Sequence, residues 1–216
     1  MIAPVIGLLG GSFDPIHVGH LQLGRDALAH LPVEEVRFLP AARPWQKEGV
    51  SDAAHRVRMV ELALAGEPRF VLDAQEIDRG GTTYTVDTLR ALRQGAWSQA
   101  SLVLIMGSDQ FQRFDTWREW ETICDLAHIA VARRAGVAAD LNPTLDELWR
   151  RRQCGPAELA HRTGGGIVEF PMSPVDASAT EARRLLANPQ AGAESRLARL
   201  LPAAVLDYIR AHHLYA

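Results

Sequence analysis

His17 and His20 stand three residues apart at the end of the glycine-rich stretch GGSFDPIHVGH, residues 10–20. On a helix that spacing puts both imidazoles on one side of the first turn, where they can reach the oxygen atoms of a single anion. A helix beginning near Val18 adds unpaired backbone N–H groups and the positive end of its dipole. The chemistry that suits this set is phosphate binding, and an imidazole, with a reference pKa of about 6.5, can be cationic beside phosphates. Zinc suits it less well. HxxH offers at most two ligands, no cysteine lies near, and three or four ligands are usual. The stretch is neither GxGxxG nor GxxxxGK[ST], so neither the dinucleotide fingerprint nor the P-loop applies.

The elements around the histidines follow from apolar spacing. Residues 5–9 form a short apolar run, the glycines and Pro15 impose a turn, and Leu21, Leu23 and Leu28 then recur among polar residues, which reads as strand, turn, helix. Further strands are expected at 36–40, 70–72, 102–106, 129–132 and 167–170. Helices are expected at 18–30, 53–65, 86–93, 117–126, 145–152, 178–187 and 203–212. Strands alternating with amphipathic helices predict an α/β fold, a Rossmann-like doubly wound parallel sheet, here with a small helical C-terminal extension. The length fits one domain over residues 1–216, with 178–216 as a helical subregion. Residues 135–142 and 161–166 carry turn residues and read as surface loops, with 164–166 a flexible connection.

Other candidate positions follow strand ends, where ligands of open α/β sheets gather. Residues 40–47 end in Lys47, a mobile positive charge for phosphates. Gly107 and Asp109 follow the fourth strand, and Arg133 and Arg134 close the fifth, where one of them can meet a phosphate or carboxylate. Ser178, Thr180 and Arg183 begin a helix. Ser178 with Glu181 makes the S-x-x-E capping box, and a cap is compatible with a second anion site at the same helix end. Trp117 offers a flat indole, whereas Trp120 reads as core. The other histidines read as structural or solvated.

The chain has 216 residues, 47% of them hydrophobic and 23% charged, with 23 Lys and Arg against 26 Asp and Glu and a net charge of −3. That balance gives no electrostatic case for extended nucleic-acid binding, so the ligand should be small. Cys124 and Cys154 form no metal-binding spacing, no signal peptide is expected, and Gly10, Gly11 and Asp14 interrupt the first apolar run too early for a membrane span. A reduced cytoplasmic setting is expected.

GGSFDPIHVGH resembles the signature of the HxGH nucleotidyltransferase superfamily. Lys47 in PAARPWQK, Arg56 in HRVRM, TYTVDTL from Thr83, MGSDQF from Met106, DTWREWETI from Asp115, AHIAVARRAG from Ala127 and SATEARRLL from Ser178 are similar, in order and spacing, to the bacterial nicotinate mononucleotide adenylyltransferases. The resemblance implies adenylyl transfer from ATP to nicotinate mononucleotide in NAD biosynthesis, with Mg²⁺ carried on the ATP phosphates and no metal ligands from the protein. It implies His17, His20, Lys47 and Arg183 as catalytic. ATP would meet Gly10, Gly11, Ser12, Phe13, Gly107, Asp109, Ser178 and Thr180 together with those histidines and Arg183. The acceptor would meet Asp14, Lys47, Thr83, Tyr84, Thr85, Asp109, Trp117, Arg133 and Arg134. In this picture Asp109 bonds ribose hydroxyls, Trp117 stacks on the nicotinate ring, and the amides of the Thr83 loop hold its carboxylate. Gln46 stands where the family usually has histidine, and Trp45 where it usually has proline. Ala177 and Ala179 also depart from the usual isoleucine and serine. The alternatives are the same fold acting on nicotinamide mononucleotide or another phosphate acceptor such as phosphopantetheine, and a non-catalytic nucleotide-binding regulator. Tyr84, Asp109 and Trp117 argue against phosphopantetheine, and the intact HVGH against the regulator. Oligomeric state is left open.

Overall fold

The computed structural model describes residues 3–45, 49–134 and 141–216, apart from the side chain of Arg134. Lys47, Gln46, the Arg134 side chain and most of the expected 135–142 loop therefore lie outside the described residues. In chain order the elements are β1 (Val5–Gly11), α1 (Val18–His30), β2 (Glu35–Pro40), β3 (Arg43–Pro44), α2 (Ala53–Leu64), β4 (Phe70–Leu72), α3 (Gln75–Arg79), β5 (Thr82–Thr83), α4 (Thr85–Gln94) and β6 (Ser101–Gly107). There follow α5 (Ser108–Phe111), a 3₁₀ turn (Phe114–Thr116), α6 (Trp120–Leu126), β7 (His128–Arg134), α7 (Pro143–Arg152), a second 3₁₀ turn (Pro156–His161), β8 (Ile167–Met172), α8 (Ala179–Ala187), α9 (Ala193–Leu200) and α10 (Ala203–Ala211).

Six parallel strands form one sheet in the order β4-β2-β1-β6-β7-β8, and β3 pairs with β5 in a separate two-stranded parallel ribbon. The order reverses between β1 and β6, so a crevice opens beyond their carboxyl ends. The glycines of the histidine turn end β1, and Gly107 ends β6. Alternation along each strand sorts the core into two faces. Val5, Leu9, Val103 and Ile105 pack on one side with Met59 of α2 and with Leu197, Leu200, Val205 and Ile209 of the C-terminal helices. Ile6, Leu8, Leu102, Leu104 and Met106 pack on the other with Leu89, Ile123 and Leu148. The helical C-terminal part thus lies on the α1 and α2 side and shares its core.

The expected strands and long helices all occur, with ends shifted by a few residues. The expected helix over 117–126 starts only at Trp120, because Glu119 adopts a left-handed backbone at φ +51° and a 3₁₀ turn takes the preceding residues. Trp117 accordingly sits on an extended corner. α3, the β3–β5 ribbon, α5 and α9 were not anticipated. The glycines of 164–166 are packed as well as turning: a Cβ on Gly166 would come within 2.6 Å of Cys154 Sγ, and one on Gly164 within 2.9 Å of the Ala127 backbone. His128 is structural. Its ring accepts from Gly166 N–H at 2.9 Å and lies 3.0 Å from Arg162 O.

Candidate active site

The histidine turn is held from below and behind. Phe13, 1% exposed and in a left-handed conformation at φ +48°, puts its ring edge-on under His20 at 5.1 Å and beside Phe38 at 5.8 Å. Non-glycine backbone in that region is uncommon, and such strain clusters at functional sites. His17 occupies the N-cap of α1, and its backbone N–H donates to His20 Nδ1 at 3.2 Å. With Nδ1 accepting, Nε2 of His20 is left to carry the ring proton and donate it. The two imidazoles stack at 3.7 Å. A Cβ on Gly19 would come within 3.0 Å of His17 Nδ1, so the glycine between the histidines leaves room for that ring.

Asp14 ties this turn to the rest of the molecule. Its carboxylate is buried, accepting from Tyr215 Oη at 2.6 Å and from Ser51 N–H at 3.4 Å. Burial, helped by the bond to Asp14, holds the Tyr215 phenol well above its usual range, so it remains a donor. Arg56, 1% exposed, donates to the carbonyls of Ser51, Ser12 and Ala42 at 2.9, 2.8 and 3.0 Å, clamping both loops that flank the turn.

The second helix end lies against the first. Ser178 caps α8, its Oγ accepting from Glu181 N–H at 3.1 Å. The reciprocal half of the expected capping box is replaced, since Glu181 pairs with Arg196 at 2.7 Å. Arg183 donates to Asp14 O at 2.5 Å and approaches Thr180 Oγ1 at 3.5 Å, while Ala177 flanks Gly19. Asp26 of α1 fixes the segment leading in, accepting from Ser173 N–H and Oγ at 2.8 and 3.0 Å. The ends of α1 and α8, which carry His17, His20, Ser178, Thr180 and Arg183, thus meet through the Arg183–Asp14 bond and the Ala177–Gly19 approach.

Beside them, over the β1/β6 switch point, runs a cleft of about 920 Å³ including its open mouth. Gly10, Gly11 and Ser12 form one end, and Thr83, Thr85, Thr88, Trp45 and Trp117 line the other. The β3–β5 ribbon sets this far wall by bringing Trp45 to 6.3 Å from the Tyr84 ring. Thr83 Oγ1 accepts from Ala42 N–H at 3.0 Å, which secures the ribbon, and Tyr84 caps α4 so that the helix begins at Thr85. Asp109 is exposed just past β6, its Oδ1 2.5 Å from where a Cβ on Gly107 would sit. Arg133 is paired with Glu169 at 3.1 Å on the neighbouring strand.

Sequence reasoning missed Glu76. It lines the cleft, is 6% exposed, and its Oε1 accepts from Thr88 Oγ1 at 2.7 Å. Burial pushes its carboxyl up to about 7, against the Thr88 hydrogen bond and Arg79, which lower it. It also missed Tyr215 and the buried role of Arg56. Trp45 was visible only as a departure, and its place in the cleft wall was not.

The chain matches the cytidylyltransferase-like family model over residues 8–185. It is 43% identical to a protein of Bordetella petrii and 42% to one of Dechloromonas aromatica, both named "Probable nicotinate-nucleotide adenylyltransferase". The alignments cover 97% of this chain in both cases, and 98% and 97% of those proteins. Among solved structures it resembles Plasmodium falciparum nicotinic acid mononucleotide adenylyltransferase complexed with NaAD, at a TM-score of 0.76 and 18% identity, covering 98% of this chain and 97% of that one. The last likeness concerns the fold.

Proposed function

The chain belongs to the cytidylyltransferase-like family and to its nicotinate-nucleotide adenylyltransferases, and from that premise we propose how its residues divide the work. It transfers the adenylyl group of ATP to nicotinate mononucleotide, giving nicotinate adenine dinucleotide and pyrophosphate, in NAD biosynthesis. An oxygen of the acceptor's 5′-phosphate forms the new bond to the α-phosphorus of ATP as the bond to the β-phosphate oxygen breaks. Both reactants bring their own nucleophile and leaving group. The protein's task is therefore alignment and neutralisation of charge on the phosphoryl oxygens.

The observation that carries this division is the convergence of two helix ends, α1 with His17 and His20 and α8 with Arg183, at the Asp14 turn that follows the cleft-lining Gly10, Gly11 and Ser12. His20 Nε2 donates to a phosphate oxygen. His17, stacked on it, offers a second imidazole to the same phosphates. Arg183, Ser178 and Thr180 take the phosphates from the other side, and Lys47 supplies a further charge from outside the described residues. Gly10, Gly11, Ser12 and the Phe13 backbone line the ATP path. Asp14 acts through the loop it braces. At the far end Trp117 stacks on the pyridine ring, Asp109 takes ribose hydroxyls, and the Tyr84 and Thr85 amides meet the ring carboxylate, with Arg133 or Arg134 near a strand end for a remaining anionic group.

The family uses ATP and generally a divalent metal. Imidazoles, amides and guanidinium suit phosphate oxygens, and no group of three His, Cys, Asp or Glu that could hold a metal occurs among the described residues. These residues fit a Mg²⁺ that would be held by the ATP phosphates and water and would supply neutralising charge to them. No helix among the described residues is long and apolar enough to cross a membrane. Free Cys124 and Cys154 suit a reduced cytoplasm. Incubation with ATP and nicotinate mononucleotide, followed by mass identification of the product, tests the reading: the dinucleotide supports it, and unchanged reactants contradict it.

A further inference from the structure

We propose that Glu76 selects the acceptor: its carboxyl must hold a proton for a ring carboxylate to seat in the cleft, whereas the amide acceptor carries no such requirement. The inference rests on the acceptor assignment above and goes beyond it to the group that sets the choice.

Glu76 stands on the cleft wall with Thr83, Thr85, Thr88 and Trp117, the residues around the expected ring site. It is 6% exposed, so water does little to screen it. Its neighbours leave its charge poorly met. Thr88 donates its hydroxyl proton to Oε1 at 2.7 Å, and Arg79 Nη2 donates at 3.0 Å into the Thr88 hydroxyl, so the cation reaches the carboxyl through a neutral group. No ion pair to Glu76 occurs among the described residues. The charged groups that act on it are Arg79 on its own short helix and Asp73 just past β4, and Asp73 is itself paired to Arg37 of β2 at 3.0 Å. α4 contributes neutral Thr88. Burial is the largest effect and pushes the carboxyl up to about 7, so both forms are present near neutrality.

A second carboxylate brought into the same cleft is a like charge in a low-dielectric site, and two carboxylates there cannot both ionise cheaply. Protonated Glu76 is neutral and can donate a hydrogen bond. Ionised Glu76 can only accept, which suits a carboxamide NH₂ and repels a carboxylate. Choice between the two acceptors therefore depends on this proton.

The test is the ratio of kcat/KM for nicotinate mononucleotide to that for nicotinamide mononucleotide, measured from about pH 6 to about pH 8.5. The 5′-phosphate, ATP and the site histidines are common to both acceptors, so their titrations cancel in the ratio. The ratio is expected to hold steady below about 7 and then to fall by up to about tenfold per pH unit, the change residing in KM for the nicotinate acceptor. Glu76→Gln should make the ratio independent of pH. Thr88→Val removes a donor to the ionised form and should move the break to higher pH, which keeps the test available if Glu76→Gln does not fold. A flat wild-type ratio, a break that survives Glu76→Gln, or an unmoved break in Thr88→Val overturns the proposal alone. Absence of turnover with either acceptor at every pH overturns the acceptor reading and this inference with it.

Discussion

The placement of His17 and His20 was legible because it is local: the three-residue spacing and the preceding glycines already put two rings over one helix end. Their replacement is the sharpest test at this scale. A preorganised donor to a transition-state oxygen is worth about 3 kcal/mol, so His17→Ala and His20→Ala should each lower kcat by about 10²-fold or more with near-normal melting temperatures. Gly19→Ala should also lower kcat, though less, since a Cβ 3.0 Å from His17 Nδ1 displaces the ring without removing it. Steady-state kinetics beside thermal melts checks both, and near-normal turnover in the two histidine variants would contradict their role. Glu76 was not legible for the opposite reason. It sits in a five-residue helix too short to show periodicity, and its partner Thr88 lies on a separate helix, so its burial is a tertiary effect. Tyr215 is more extreme, its partner lying 201 residues away.

Helices α1, α2, α4, α8 and α10 were visible because each carries enough turns to display an apolar face. Short pieces such as the β3–β5 ribbon and α5 owe their form to neighbours and left no pattern. Trp117 shows the cost: apolar spacing placed it on a helix, but the left-handed Glu119 breaks the chain there and leaves the indole on a corner of the cleft. At α8 the capping and anion-binding readings separate by experiment. Ser178→Ala should cost about 1 kcal/mol of stability by loss of the cap to Glu181 N–H. Arg183→Ala should mainly raise KM for ATP and lower kcat, because its guanidinium reaches the Asp14 loop beside the proposed phosphate site. A lowered melting temperature with unchanged ATP kinetics in Arg183→Ala would instead make α8 a packing element.

Over the whole molecule, the doubly wound order was legible from the alternation of strands and helices, and the cleft lies where that order reverses. We propose that the chain is one domain, the helices after Ser178 sharing the core of α1 and α2, and that it melts in one transition. Its stability should depend on pH through Glu76. The folded carboxyl, raised from 4.5 to about 7, binds its proton more tightly than the unfolded one. Stability from this group is therefore full below about 4.5 and is lost as pH rises through 7, by up to about 3 kcal/mol. His128, lowered by burial, acts in the other direction, losing stability as pH falls below about 6.5. The difference between wild type and Glu76→Gln isolates the first effect: the variant should gain relative stability from pH 5 to pH 8, as measured by denaturant melts, and a constant difference would count against it. The most direct measurement of the central claim is pyrophosphate release from ATP with nicotinate mononucleotide, nicotinamide mononucleotide and phosphopantetheine as acceptors. Amide donors facing a carboxamide leave polar groups unpaired at a loss of about 1–3 kcal/mol, so near pH 7 the nicotinate acceptor should lead the amide by roughly 5-fold to 150-fold in kcat/KM, with phosphopantetheine inactive. Equal rates for the two mononucleotides, or a faster reaction with the amide or phosphopantetheine, would contradict it.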